Sequence, residues 1–162
     1  MIWCSSTYAQ CAPPQNKKWK EWLEAQEDAG GHALACHVNI GVNGLIGRIE
    51  NRGGHQGHAC LPGTIASEWS DIKSLISAIS QTITEQGDFF QNGPAGTYTL
   101  HGVGKGTVGR RVYAYEGRPG KNRSACHENS GYVCENVREW VAVIVKQAGD
   151  DGQCFLLTAY PQ

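Results

Sequence analysis

Once along these 162 residues the apolar side chains change their period, and that change restricts the fold more than any other feature. Over 68–86, Trp69, Ile72, Leu75, Ile76, Ile79 and Ile83 recur every three or four residues, the repeat of one helix face, with Ser67 placed to cap its start. After Gly87 the texture turns to strands, expected over 97–101, 108–115, 137–147 and 154–160. Gly149-Asp150-Asp151-Gly152 is a hairpin signal between the last two. Upstream, Trp19, Trp22 and Leu23 predict a helix within 16–29 that Gly30-Gly31 ends, and shorter helices are expected over 33–37 and about 43–50. Helices first and antiparallel strands afterwards define an α+β fold, in which N-terminal helices precede a twisted antiparallel β-sheet. The length suits one domain, with 1–28 an N-terminal arm and helix and 29–162 a single globular unit.

Seven cysteines (Cys4, Cys11, Cys36, Cys60, Cys126, Cys134 and Cys154) add a covalent restriction. That density points to an oxidising destination and about three disulfides, with one thiol left over or paired to another chain. Cys126 and Cys134 flank a short loop that a bridge would close, and Cys4 with Cys11 forms a similar local pair. Cys36 is either half of a bridge that fixes its helix or the spare thiol. His55, His58, Cys60, Cys126, His127 and Cys134 are zinc-ligand types, but their spacing matches no familiar finger and disulfides compete for the thiols. No metal or cofactor is expected. No run is apolar enough to span a membrane, and the start of the chain lacks the apolar stretch of a signal peptide, so export would depend on a longer parent chain.

With 14 basic and 15 acidic residues the net charge is −1, which excludes RNA binding by bulk electrostatics. Any nucleic-acid contact then rests on a local patch. Lys105, Arg110, Arg111, Arg118, Lys121 and Arg123 crowd one stretch, with Arg48 and Arg52 elsewhere. Of these, Lys105, Arg110 and Arg111 are the candidates for substrate binding, although a solvated loop face explains them equally well.

The final strand, 154–160, places Thr158 and Tyr160 on one face and Leu157 and Ala159 on the other. His37 and Arg48 lie eleven residues apart, close to three helical turns, and meet if their elements fold toward one cleft. A base, a fixed cation and two hydroxyl donors are the parts required for acid–base attack on a phosphodiester. RNA brings its own nucleophile, the 2′-hydroxyl, and a neutral imidazole can take its proton. A guanidinium suits the charge that gathers on phosphorus, and a tyrosine, with an ordinary pKa near 10, serves better as a hydrogen-bond donor than as a fast acid. His101, at the end of a strand, is a candidate second histidine, and His32 a supporting residue at a helix entry.

Gly30-Gly31-His32, then His37-Val38, then Arg48, then the closing Leu157-Thr158-Ala159-Tyr160-Pro161 together resemble the bacterial RNase A-like toxin domain. This domain is found at the C-terminus of contact-dependent inhibition proteins and other polymorphic toxins. The resemblance runs from about Ala29 to Gln162, with Asn39 standing where members usually carry glycine. It implies an RNase A-like fold and the catalytic set His37, Arg48, Thr158 and Tyr160, the Thr/Tyr pair replacing a second histidine. It further implies a metal-independent endoribonuclease that leaves 2′,3′-cyclic phosphate and 5′-hydroxyl ends. The expected partners are RNA and a cognate immunity protein, and the expected form is a monomer when free, secreted or delivered into a target cell. Two rivals remain open at this level: a non-catalytic, disulfide-rich binding module, and a phosphodiesterase restricted to one RNA such as a tRNA.

Overall fold

The computed structural model describes residues 18–51, 60–115, 124–126, 131–148 and 154–162. Three helices, α1 (Trp19–Asp28), α2 (Ala33–His37) and α3 (Gly41–Ile49), precede strand β1 (Ile65–Trp69) and the long helix α4 (Ile72–Gln91). Strands β2 (Gly96–Val103), β3 (Gly109–Ala114), β4 (Ser124–Ala125), β5 (Tyr132–Val137), β6 (Glu139–Lys146) and β7 (Cys154–Pro161) follow. All strand pairings are antiparallel, so the α+β arrangement holds. The single expected sheet is, however, two: β1-β3-β5-β4 and β2-β6-β7. The chain crosses from one to the other at Arg138, whose carbonyl is occupied by the Gly104 N–H at 2.7 Å.

Ser67 does not cap a helix. It lies within β1, and α4 is capped by Asp71, which accepts the Ser74 N–H at 2.7 Å. The helical period overruns the true helix start because Trp69, a strand residue, fills the same core as the apolar face of α4. Its indole N–H donates to the Ala159 carbonyl at 2.9 Å. β5 also escaped the strand pattern, since one residue separates it from β6.

The larger core packs Leu23 of α1 and Leu75 and Ile79 of α4 against Trp140, Ile144 and Leu156 of the three-stranded sheet. Each fully buried aliphatic side chain there contributes about 2 kcal/mol. A smaller core joins Leu45 and Ile46 of α3 to Ala66 and Val112 of the other sheet. Bridges join Cys126 to Cys134, as the local spacing suggested, and Cys36 to Cys60. Cys154 is disulfide-bonded as well. The Cys4–Cys11 pairing, the 149–152 hairpin, His55, His58, His127, Arg52, Arg118, Lys121 and Arg123 lie outside the described residues. Among the described residues no helix is long and apolar enough to cross a membrane.

A candidate active site around His37

α2 has five residues and cannot hold itself, so its neighbours fix it at both ends. Its N-cap residue, His32, contributes no side-chain cap. The Glu27 carboxylate of α1 substitutes, accepting the Leu34 and Ala35 N–H groups at 2.6 and 3.1 Å. The α1–α2 turn then lies directly on β7. A Cβ at Gly31 would stand 2.5 Å from the Leu156 carbonyl oxygen, so this contact requires glycine.

The landing place on β7 is a β-bulge, because Ile144 pairs with Leu156 while Val143 already pairs with Thr158. The backbone groups that the bulge exposes are both used. Leu156 N–H donates to Oε1 of the buried Gln26 at 2.8 Å, and the Leu157 carbonyl accepts the His32 N–H at 2.8 Å. The bulge also corrects the expected alternation. Leu156, not Leu157, joins Ala159 in the core, while Thr158 and Tyr160 share the opposite face of the strand.

Beyond α2, the C-terminal end of the helix is fastened by the Cys36–Cys60 bridge and by a parallel bridge of Val38 to Trp69. Asn39 has φ +57, the left-handed conformation that glycine and asparagine tolerate best, which explains asparagine at a position where glycine would serve. Glu68 then captures the start of α3, accepting Ile40 and Gly41 N–H groups at 2.7 and 2.9 Å.

His37 is 6 % exposed, and its Nδ1 lies 3.0 Å from the Ser67 carbonyl oxygen. A carbonyl only accepts, so Nδ1 carries the hydrogen and Nε2 is left as the basic nitrogen. The ring stacks on Tyr160, with centroids 5.3 Å apart and planes inclined by 29°. Burial pulls the His37 pKa from 6.5 down to about 3, with the Arg48 charge acting in the same direction. The imidazole is therefore neutral at pH 7.

Arg48 sits in the last turn of α3, so the eleven-residue spacing joins two helices rather than spanning one. Its Nη1 donates to the Cys36 carbonyl at 2.7 Å, and Nη2 makes a longer contact, 3.4 Å, with the Leu61 carbonyl. Burial holds its pKa below the ordinary arginine value. Its Nε is buried with no hydrogen-bond partner among the described residues. The same is true of Oγ1 of Thr158, which is 8 % exposed.

The remaining candidates are placed differently. His101 is exposed on β2 and lies in one cross-strand row with Val141 and Tyr160, two strands and roughly 10 Å from the tyrosine. His32 contributes backbone contacts to the bulge and to α2. Lys105 borders a cavity on the α4 side of the three-stranded sheet. Arg110 and Arg111 are ion-paired to Glu68 and Glu135. Glu68, Glu27 and Gln26 support the site without having been singled out in the sequence, and Ser67, expected as a helix cap, instead holds the imidazole. Of these, only Glu68 carried a signal: an acidic residue in the middle of an otherwise weakly polar strand. Among the described residues no group of three or more His, Cys, Asp or Glu is placed to hold a metal ion.

The molecule is thus an α+β protein whose short second helix and last strand stack a neutral imidazole on Tyr160, with the Arg48 guanidinium of α3 held at the end of that helix. This fold is similar to that of a chain from the crystal structure of the CdiA-CT/CdiI complex of Y. kristensenii. The TM-score is 0.52 at 15 % identity, over 78 % of this chain and 94 % of that one, so the likeness is one of fold. No protein-family model matches the sequence, and no curated protein matches it.

Proposed function

We propose that this chain is a toxin domain of the contact-dependent inhibition type, and that it cleaves RNA without a metal. The observation that carries this reading is the neutral His37 imidazole stacked on Tyr160, with the Arg48 charge close enough to act on it. Leaving a buried polar atom unpaired costs about 1–3 kcal/mol, and here Arg48 Nε and Thr158 Oγ1 are both left so. Both atoms are closed to solvent in the free protein, so in this reading they meet a phosphate oxygen only when their side chains turn toward it.

In this reading Nε2 of His37 takes the proton of the RNA 2′-hydroxyl, and the resulting oxygen attacks phosphorus. Arg48 stabilises the negative charge of the phosphorane, and that negative charge in turn offsets the cost of forming a buried imidazolium. The bond from phosphorus to the 5′-oxygen then breaks, and that oxygen receives a hydrogen bond or proton from Tyr160. Thr158 orients the phosphate. The products are a 2′,3′-cyclic phosphate and a 5′-hydroxyl. The shared fold with a chain of a CdiA-CT/CdiI complex supports a cognate immunity protein and delivery into a target cell; in this reading that partner covers the site, and the chain is a monomer when the partner is absent.

One observation favours a narrow target. Arg110 and Arg111 are each neutralised by a carboxylate and the net charge is −1, so little sequence-independent attraction for RNA remains. A single structured RNA, such as a tRNA, suits that surface. Incubating the oxidised protein with total RNA in excess EDTA, followed by analysis of product ends, tests the proposal. Cyclic-phosphate ends are expected. RNA left intact would instead favour a binding module.

A further inference from the structure

An open cavity of about 570 Å³ adjoins the site and has no part in the mechanism above. Asn39, Glu68, Trp69, Gly109, Arg110 and Asn136 line it. Its size is that of a small-molecule site. Two of the segments that build the active site run on into its walls, and a wall residue packs against a third. Asn39 is two residues past His37, and Trp69 is two past Ser67, the residue that holds the imidazole. Gly109 packs on Pro161, the neighbour of Tyr160, so closely that a Cβ there would stand 2.5 Å from the proline ring. Two residues of extended chain span about 7 Å, the reach of one nucleotide.

The chemistry of the walls narrows the ligand. Oε2 of Glu68 is filled by two backbone N–H groups and Oε1 by Nε and Nη2 of Arg110. The carboxylate and guanidinium cancel, so the cavity offers a phosphate no net attraction. The ion pair instead holds Arg110 rigid, with Nη1 not engaged by Glu68. Asn39 and Asn136 are exposed, and no hydrogen bond among the described residues engages their amides. Two amides and a fixed guanidinium edge present donors and acceptors together, the pattern that reads the edge of an unpaired base.

We propose that this cavity receives the base of a nucleotide flanking the scissile phosphate and gives the enzyme a base preference. The proposal rests on the ribonuclease reading. Its test is a coupling measurement on the oxidised protein with short oligoribonucleotides that lack the base on one side or the other of the cleaved bond. Removing the base that occupies the cavity lowers wild-type kcat/KM about tenfold, the loss of one good base contact. In Asn136→Ala, and separately in Asn39→Gly, which keeps the left-handed backbone, the same removal costs less than about threefold. Far-ultraviolet circular dichroism and melting confirm that each variant is folded. Equal losses in wild type and in both variants would overturn the cavity as a base site while leaving the nuclease intact. Wild type that cuts none of these substrates, nor total RNA, would overturn the nuclease reading and this proposal with it.

Discussion

Arg48 and Arg110 are both partly buried arginines, and the protein treats them in opposite ways. Arg110 gives two donors to Glu68, whose remaining oxygen is filled by the start of α3. Among the described residues Arg48 has no carboxylate partner. It is held by two carbonyls, Cys36 and Leu61, and keeps a buried Nε unpaired. Carbonyls orient a guanidinium without cancelling its charge, so Arg48 stays available to an anion, whereas Arg110 is part of the scaffold. The density of basic residues along the chain points to β3, yet the cation held beside His37 without a carboxylate among the described residues lies on α3.

Changes to the Arg48 side should be felt in the rate. His37→Ala removes the base and is expected to lower single-turnover RNA cleavage by about 10²–10⁴, with thermal melting confirming that the variant folds. On the Arg110 side, the effect should appear in stability. Glu68→Ala leaves two N–H groups and a guanidinium without their partner, and chemical denaturation should show a loss of about 3 kcal/mol.

His37 also makes the site sensitive to acid. Its pKa is lower in the folded state, about 3, than the unfolded value of 6.5, so the unfolded chain binds more protons between those values. The His37 contribution is thus at its full value above pH 6.5 and is lost as the pH falls toward 3. Denaturation at pH 6.5 and 4.5 should differ by about 2 kcal/mol through this residue, and His37→Asn should remove that part of the difference.

A smaller effect separates positioning from simple stabilisation. The Cys36–Cys60 bridge flanks both carbonyls that hold Arg48. Cys60→Ser should slow cleavage about tenfold in the wild-type background and leave Arg48→Ala unchanged. Equal slowing in both backgrounds would make the bridge structural only.

Much of this arrangement was legible in the chain because it is local. α2 occupies the five residues expected of it, the Cys126–Cys134 loop closes as its spacing suggested, and Thr158 and Tyr160 share a face. What was hidden depends on partners remote in sequence. The bulge at Leu157 exists because Gln26 and His32 take its backbone groups, and nothing near Leu157 announces it. β1 was read as the start of a helix because Trp69 continues an apolar period from another element. The ion pairs that neutralise Arg110 and Arg111 come from separate strands, so a basic stretch looked like a binding patch. The unpaired Nε of Arg48 is a fact of three-dimensional packing alone.

The most direct measurement is single-turnover RNA cleavage in excess EDTA by the wild type, Arg48→Ala and Arg111→Ala, with product ends identified by mass. The wild type and Arg111→Ala should produce cyclic-phosphate ends at rates within about threefold of each other, because an ion pair of this kind contributes little. Arg48→Ala should be slower by about 10²–10³. Wild-type protein that leaves the RNA intact, or an Arg48→Ala variant as fast as Arg111→Ala, would contradict the account.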